Sequence, residues 1–252
     1  MARTVPRSAR RIREHWHALD SLHGSGQRYN PELIENLPAA ARRWISHSVA
    51  AGTPLARSVR LTMQGQIRLG AWRPFTATEL LTPGVGFIWA ATAKVAGLPV
   101  LGYDRFTDGR GEMRWRLADI LPMVSAHGPD VTESVAGRLA GESIFVPTAF
   151  AAAQWIDGGD GATAHARWAV AGYEDTVHLD LADDGTLRQV RMQRWGNPDG
   201  NRFDRYPFAV SIDAEDSFAG ITIPIRFRAR WATDTAAQTE FFRAQITDAV
   251  FQ

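Results

Sequence analysis

Between Ser58 and Trp115 the chain runs almost without interruption through VRLTMQGQIRLG-AWRPFTATELL, GFIWAATAKVAG and LPVLGYDRFTDGRGEMRW. Apolar residues take alternate positions at Val59, Leu61 and Met63, then at Ile67 and Leu69, the period of a strand with one buried face. Gly65, between those halves, reads as a bulge or turn, and Gly70, Gly97 and Gly109 as further turns. Strands joined by such short turns lie antiparallel, so this stretch predicts a sheet wrapping one apolar interior. Trp, Phe and Met on the inner face make that interior either a packed core or a ligand cavity.

The same period returns later. ATAHARWAV and TVHLDLADDGTLRQVRMQRW flank an Asp184-Gly185 hairpin turn, and YPFAVSI, ITIPIRFRARW and QTEFFRAQITDAVF follow the loop at 196–201. Ile221, Ile223, Ile225, Phe227, Ala229 and Trp231 share one face, opposite Arg226, Arg228 and Arg230. Those arginines belong on a solvent face, because a nucleic-acid groove would need stacking aromatics beside them. Helical period marks the first ~50 residues, where Asn30-Pro31-Glu32 is a helix start and Pro38 opens a second helix, Ala39 to Val49, stopped by Gly52 and Pro54. A further helix spans Asp130 to Phe145, with Asp130 and Glu133 at capping-box spacing and Pro147 ending it.

These patterns predict a mainly β fold: a strongly curved antiparallel sheet or β-barrel of about 8–10 strands, with a helix over one opening. The 252 residues read as a single domain: a basic arm over 1–13, a helical segment over 14–50 and a barrel over 55–252 carrying the helix 130–145.

Composition narrows the chemistry. Cysteine is absent, which removes thiolate nucleophiles, disulfides and cysteine-ligated metals. The net charge of +1 supplies no field for nucleic acid or acidic membranes, and Lys94 is the only lysine among 28 basic residues. Arg3, Arg7, Arg10, Arg11 and Arg13 form a solvated arm; no apolar segment follows the Arg10-Arg11 pair as an export signal requires. No stretch approaches the ~18 apolar residues of a membrane span. A soluble, cytoplasmic protein is expected, without membrane insertion.

The motifs together resemble an uncharacterised bacterial domain family. They are Leu37-Pro38 with Arg42-Arg43-Trp44; Gly52 to Leu55; Ser58 to Leu61; Gly65 to Gly70; Trp72 with Pro74 to Ala77 and Glu79; and Pro83 to Trp89. Asp104-Arg105, Asp108 to Gly111, Arg138-Leu139 with Glu142, Phe145 to Ala149, and Ile223-Pro224 with Trp231 complete the set. The resemblance runs from about Leu37 to the C-terminus. It implies a curved antiparallel barrel, open or closed, similar to bacterial lipoprotein-carrier half-barrels. Relatives carry an N-terminal membrane segment where this chain has its Arg-rich arm.

No GxSxG, P-loop or GxGxxG occurs, so no cofactor is expected. His15 and His17 face different ways on a helix, and His165 and His178 lie in separate strands, so no metal site is expected. Glu142 is the leading candidate for chemistry. It shares the apolar helix face of Val135 and Leu139, where a desolvated carboxyl can keep its proton and act as a general acid. The competing readings are an i,i+4 pair with Arg138 or a buried tie to Arg105. Arg105 and Tyr206 are the other catalytic candidates, each able to polarise a substrate oxygen. Trp89, Tyr103, Trp115, Asp104 and Arg194 are the candidate substrate-binding residues. The expected function is a cofactor-independent enzyme that folds an apolar, oxygenated substrate for cyclisation or isomerisation. The alternative is a non-catalytic carrier of a lipid or other hydrophobe.

Overall fold

The computed structural model describes residues 4–159, 161–231 and 239–252. Two meanders make up its sheet. The first contains β1 (Val59–Leu69), β2 (Ala71–Thr82), β3 (Gly86–Val95), β4 (Leu98–Thr107), β5 (Arg110–Leu117) and β6 (Leu121–His127). The second contains β7 (Gln154–Asp157), β8 (Thr163–Val170), β9 (Tyr173–Leu181), β10 (Leu187–Gly196), β11 (Asp204–Phe218), β12 (Ile221–Trp231) and β13 (Thr239–Phe251). Every strand pairs antiparallel with its neighbour in sequence within a meander, and β1 pairs with β13 to join the two. The result is one 13-stranded antiparallel sheet, more strands than the 8–10 expected, with β6 and β7 as its free edges.

The chain crosses between those edges as a helix, α3 (Pro129–Glu142), continued by short 3₁₀ turns at Ser143–Phe145 and Pro147–Ala152. This crossing dictates the shape. Helix α3 packs on β4 and β5 and also on β9 and β10. In a flat sheet β5 and β10, eight places apart, would be separated by about 38 Å at ~4.8 Å per strand. One helix of ~10 Å diameter can touch both only if the sheet curls around it. The fold is therefore an open, strongly curled half-barrel whose inner face carries α3. The helix lies across the opening of the half-barrel, as the sequence predicts.

Two more helices, α1 (Arg13–Asp20) and α2 (Ala39–Ser48), lie on opposite sides of the sheet. Helix α2 sets Trp44 and Ile45 into the inner core, near Trp155 and Ile144. The segment from Arg7 through α1 covers the outer face, where Ala9, Ile12, Trp16 and Leu19 pack against Leu80, Ile88, Ala90 and Tyr103. The basic arm is thus half-structured: Arg7, Arg10, Arg11 and Arg13 are exposed, whereas Ala9 and Ile12 are buried.

Three local expectations need correction. Gly65 is neither a turn nor a bulge: β1 passes straight through it, paired with Phe75 on one side and Ala244 on the other. What glycine supplies there is close approach, since a Cβ would overlap the backbone carbonyl of Arg243. The capping box of α3 does not form, because the helix starts one residue earlier at Pro129, with Gly128 as its N-cap. Asp130 instead accepts from Trp195 Nε1 (3.2 Å) and Glu133 from Arg205 (3.1 Å), so both carboxylates tie the helix to the second meander. Strands run on past Leu121 to His127 as the edge strand β6, where Leu121, Met123 and Val124 are exposed.

Glycine to alanine inside a strand ordinarily stabilises by about 0.5–1 kcal/mol. At Gly65 the sign should reverse, with Gly65→Ala losing about 1–3 kcal/mol in chemical denaturation through forced displacement of β13. A neutral or stabilising result would show that β1 and β13 do not approach so closely.

Candidate functional site

Registers across the first meander place four residues in one row on the inner face: Glu79 on β2, Trp89 on β3, Asp104 on β4 and Met113 on β5. Such a row would ordinarily be apolar, as are the flanking inner positions Ala77, Leu81, Phe87 and Phe106. Two carboxyls in it demand a partner, and α3 supplies one. Arg138 Nε donates to Glu142 Oε1 (2.7 Å), Nη1 to Asp104 Oδ2 (3.0 Å) and Nη2 to Glu79 Oε1 (3.5 Å). Its guanidinium also lies 4.7 Å from the centre of the Phe87 ring and 5.2 Å from that of Trp89. Trp115 Nε1 donates to the other Asp104 oxygen (2.9 Å), with the indole lying over Gly102, where any Cβ would displace it.

Three acids around one base cannot all be charged cheaply. Burial raises the pKa of Glu79 well above the carboxylate range, the neighbouring Glu142 raises it further, and Arg138 only partly opposes them. Glu79 is 1% exposed. Glu142 Oε2, in the same cluster, is buried and makes no hydrogen bond among the described residues. Burial also raises Asp104, against the pull of Arg138 and of the Trp115 hydrogen bond. Burial pulls Arg138 down, but Glu142, Glu79 and Asp104 outweigh it and keep the guanidinium firmly protonated.

Beside this cluster the half-barrel is not filled. A cavity of about 370 Å³ opens between α3 and the sheet, with Trp89, Asp104, Arg138 and Glu142 at one end. Ile67, Leu69, Val190, Met192, Val210 and Phe227 form much of its wall. A slip in the β12–β13 register sets Ala229 opposite Phe242 and Arg230 opposite Glu240, and the extra residue, Phe241, joins Phe242 in the lining. Arg194, on β10, also faces the cavity; its guanidinium lies 4.9 Å from the Phe208 ring and 5.2 Å from Trp231. Burial and the nearby Arg138 lower the pKa of Arg194 to about 10. A wider groove of about 580 Å³ crosses the sheet near Gly65, past Gln64, Thr76, Lys94 and Arg226. It is open and polar, so the more enclosed aromatic cavity is the better candidate for a small-molecule site.

The candidate residues divide by strand geometry. Glu142, Trp89, Asp104 and Arg194 line the cavity, and Trp115 stands directly behind them, its ring 5.6 Å from Trp89. Tyr103 and Arg105 flank Asp104 in sequence and therefore point to the outer face. There Tyr103 packs under α1 and the 3₁₀ turn before it, and Arg105 binds Glu112 (2.9 Å) and Thr107. Of the two ties read for Glu142, the i,i+4 pair with Arg138 forms (2.7 Å), whereas Arg105 is taken by Glu112. Tyr206 is opposite Arg194 in register but lies outside the cavity lining, its hydroxyl donating to the Arg202 carbonyl (3.3 Å). His165 and His178 do meet, as cross-strand partners with rings 4.4 Å apart. Among the described residues, no group of three potential ligands could hold a metal ion. Nor is any helix there long and apolar enough to cross a membrane. Glu79 was not singled out from the sequence, although a lone acid in the inward phase of Phe75, Ala77 and Leu81 is a readable signal.

An open antiparallel half-barrel, wrapped around a crossing helix and enclosing an aromatic cavity, defines the class. Over residues 27–244 the chain matches, and belongs to, DUF6544, a family of unknown function. No curated protein matches it. Among solved structures it is similar to an outer membrane lipoprotein-sorting protein domain from Vibrio parahaemolyticus, at 9% identity and TM-score 0.45, covering 88% of this chain and 94% of that one. It is also similar to a LolA superfamily protein from Nitrosomonas europaea, at 10% identity and TM-score 0.41, covering 85% and 92% respectively. A DUF1329 family protein from Desulfovibrio piger is similar at 12% identity and TM-score 0.37, covering 84% and 90%.

The unfolded chain releases the Glu79 proton near the ordinary value of 4.5, whereas the folded chain holds it to higher pH. The folded state then binds more protons, so stability falls as pH rises from 4.5 through the raised pKa, and Asp104 adds to this with the same sign. Glu79→Gln should flatten that fall in thermal melts and raise the melting temperature toward neutral pH. An unchanged slope would remove Glu79 as the proton holder. Arg138→Met strands buried carboxylates and should cost about 3–5 kcal/mol.

Proposed function

We propose that this protein is a non-catalytic binder or carrier of a hydrophobic small molecule, held inside the half-barrel between α3 and the sheet. One observation carries this reading: a cavity of about 370 Å³, partly open to solvent, with aromatic walls in an interior otherwise filled by close-packed side chains. Protein interiors tolerate few voids larger than a water molecule, because lining atoms lose their contacts. A void within the roughly 300–1,000 Å³ range of ligand pockets, walled by aromatic rings and carrying a few charged groups at its edge, suits an amphipathic guest.

A catalytic reading has a narrower support. Glu142 lines the cavity and shares Arg138 with Glu79, whose pKa burial raises, so a carboxyl of this cluster could protonate a bound substrate. Under that reading Glu142→Gln would slow turnover of a substrate by about 10²–10⁴. Under the binding reading the same change alters stability and leaves the recovered ligand chemically the same.

Native mass spectrometry of the purified protein, followed by extraction, tests both. A co-purified hydrophobe recovered unaltered supports the carrier, and its conversion into a product supports the enzyme. Filling the cavity with Ala229→Trp should abolish retention of the hydrophobe while the far-ultraviolet circular dichroism stays that of a β protein. Retention by Ala229→Trp as strong as by the parent would place the ligand elsewhere and overturn the proposal.

A further inference from the structure

We infer that the ligand of this cavity is a single-chain carboxylic acid, its carboxylate seated on Arg194 and its alkyl chain lying along Val210, Phe227 and Phe242. The inference rests on the binding function proposed above and adds the chemistry of the head group.

Arg194 is the reason. A guanidinium carries five N–H donors and stays charged, so an interior position normally gives it a carboxylate. Arg138, the other buried arginine of the cavity, has two: it holds Glu142 and Asp104 directly. Arg194 has none within salt-bridge distance among the described residues. Its Nε and Nη2 share a single acceptor, the Ser134 carbonyl on α3, at 3.4 and 3.3 Å, the long end of hydrogen bonding. The ring faces of Phe208 and Trp231 hold the guanidinium in place without satisfying its donors. Although Glu142, Asp175 and Asp104 all act to support its charge, burial wins. Asp175 is already committed to Arg205 (2.6 Å), and Asp104 and Glu142 to Arg138.

A planar carboxylate fits what remains. The fork of a guanidinium accepts two oxygens side by side, and such charge-assisted pairs are about twice as strong as neutral hydrogen bonds. With Nε and Nη2 on the Ser134 carbonyl, Nη1 has no hydrogen bond among the described residues, and Arg194 lines a cavity whose wall is apolar at Val210, Phe227 and Phe242. At about 370 Å³ the space suits a single chain. An ammonium head group would meet Arg194 as a like charge, and a neutral alcohol would leave the guanidinium uncompensated.

The test compares dodecanoate, dodecanol and dodecylamine, which share one chain and differ only in the head, by calorimetric titration of the full-length protein at pH 7.5 below micelle-forming concentrations. Dodecanoate should bind about tenfold or more tighter than dodecanol, with dodecylamine weakest. Arg194→Gln should collapse the ratio of dodecanoate to dodecanol affinity toward one, and Arg194→Lys should restore part of it. The head-group order in the parent protein stands as a test even if the variants fold poorly. Dodecanol or dodecylamine binding as tightly as dodecanoate, or a ratio untouched by Arg194→Gln, overturns the inference while leaving hydrophobe binding intact. Failure of all three chains to bind overturns the binding function itself and this inference with it.

Discussion

One guanidinium ties the crossing helix to the first meander of the sheet. Arg138 projects from α3, which bridges the free edges of the sheet, onto Glu79 and Asp104, inner-face residues on either side of Trp89, and onto Glu142 one turn along its own helix. Without it, three carboxyls would sit in an apolar interior, and a buried charge without its partner costs several kcal/mol. With it, the helix is fixed in height and rotation over the first meander. The cluster has its own proton, held by Glu79, which lets a single arginine satisfy three acids. Replacing such a cluster by apolar residues of the same volume need not weaken the fold, so its value lies as much in fixing one helix position as in stability.

That position leaves a space. Residues on the C-terminal side of α3, with the 3₁₀ turns and α2, fill the hollow with Ile144, Phe145, Phe150 and Trp44. On the other side of Arg138, small residues of the helix, Gly137 and Gly141, face Met192, Val210 and the paired phenylalanines of β13 across the cavity. A larger side chain at Gly137 would press on Asp175 and Arg194, and one at Gly141 on Met192. The same glycines that bring the helix close to β10 also keep its cavity-facing surface thin. The half-barrel is thus packed at one end and hollow at the other, with Arg194 among the residues lining the hollow.

Much of this was legible in the chain. Period-two alternation in 59–69 and 221–231 predicted strands and their inward faces, and Glu142 with Asp104 and Trp89 does line one space. Two kinds of information were not readable. The first is which distant strands pair: nothing local in β1 or β13 announces that the first and last strands join the meanders, and that closure brings Phe241 and Phe242 to the cavity. The second is the consequence of alternation itself. Asp104 and Arg105 are consecutive, so they cannot both face inward, and Tyr103 and Arg105 were misplaced by reading the motif as a cluster rather than by parity. Parity would have found Glu79, between Ala77 and Leu81, and it does place Arg194 after Val190 and Met192. Polar residues in the inward phase of an otherwise apolar strand are the sequence signal of this site.

The central claim is that the concave side of the half-barrel holds a hydrophobic guest between α3 and the sheet. Quenching of tryptophan fluorescence by dodecanoate carrying bromine at the chain end tests it most directly, because bromine quenches only at contact. Trp89 and Trp231 line the cavity, whereas Trp16 is buried on the outer face. The account predicts saturable quenching that shrinks in Trp231→Phe and is unaffected in Trp16→Phe. Quenching that never saturates, or that disappears with Trp16 and persists without Trp231, would contradict it.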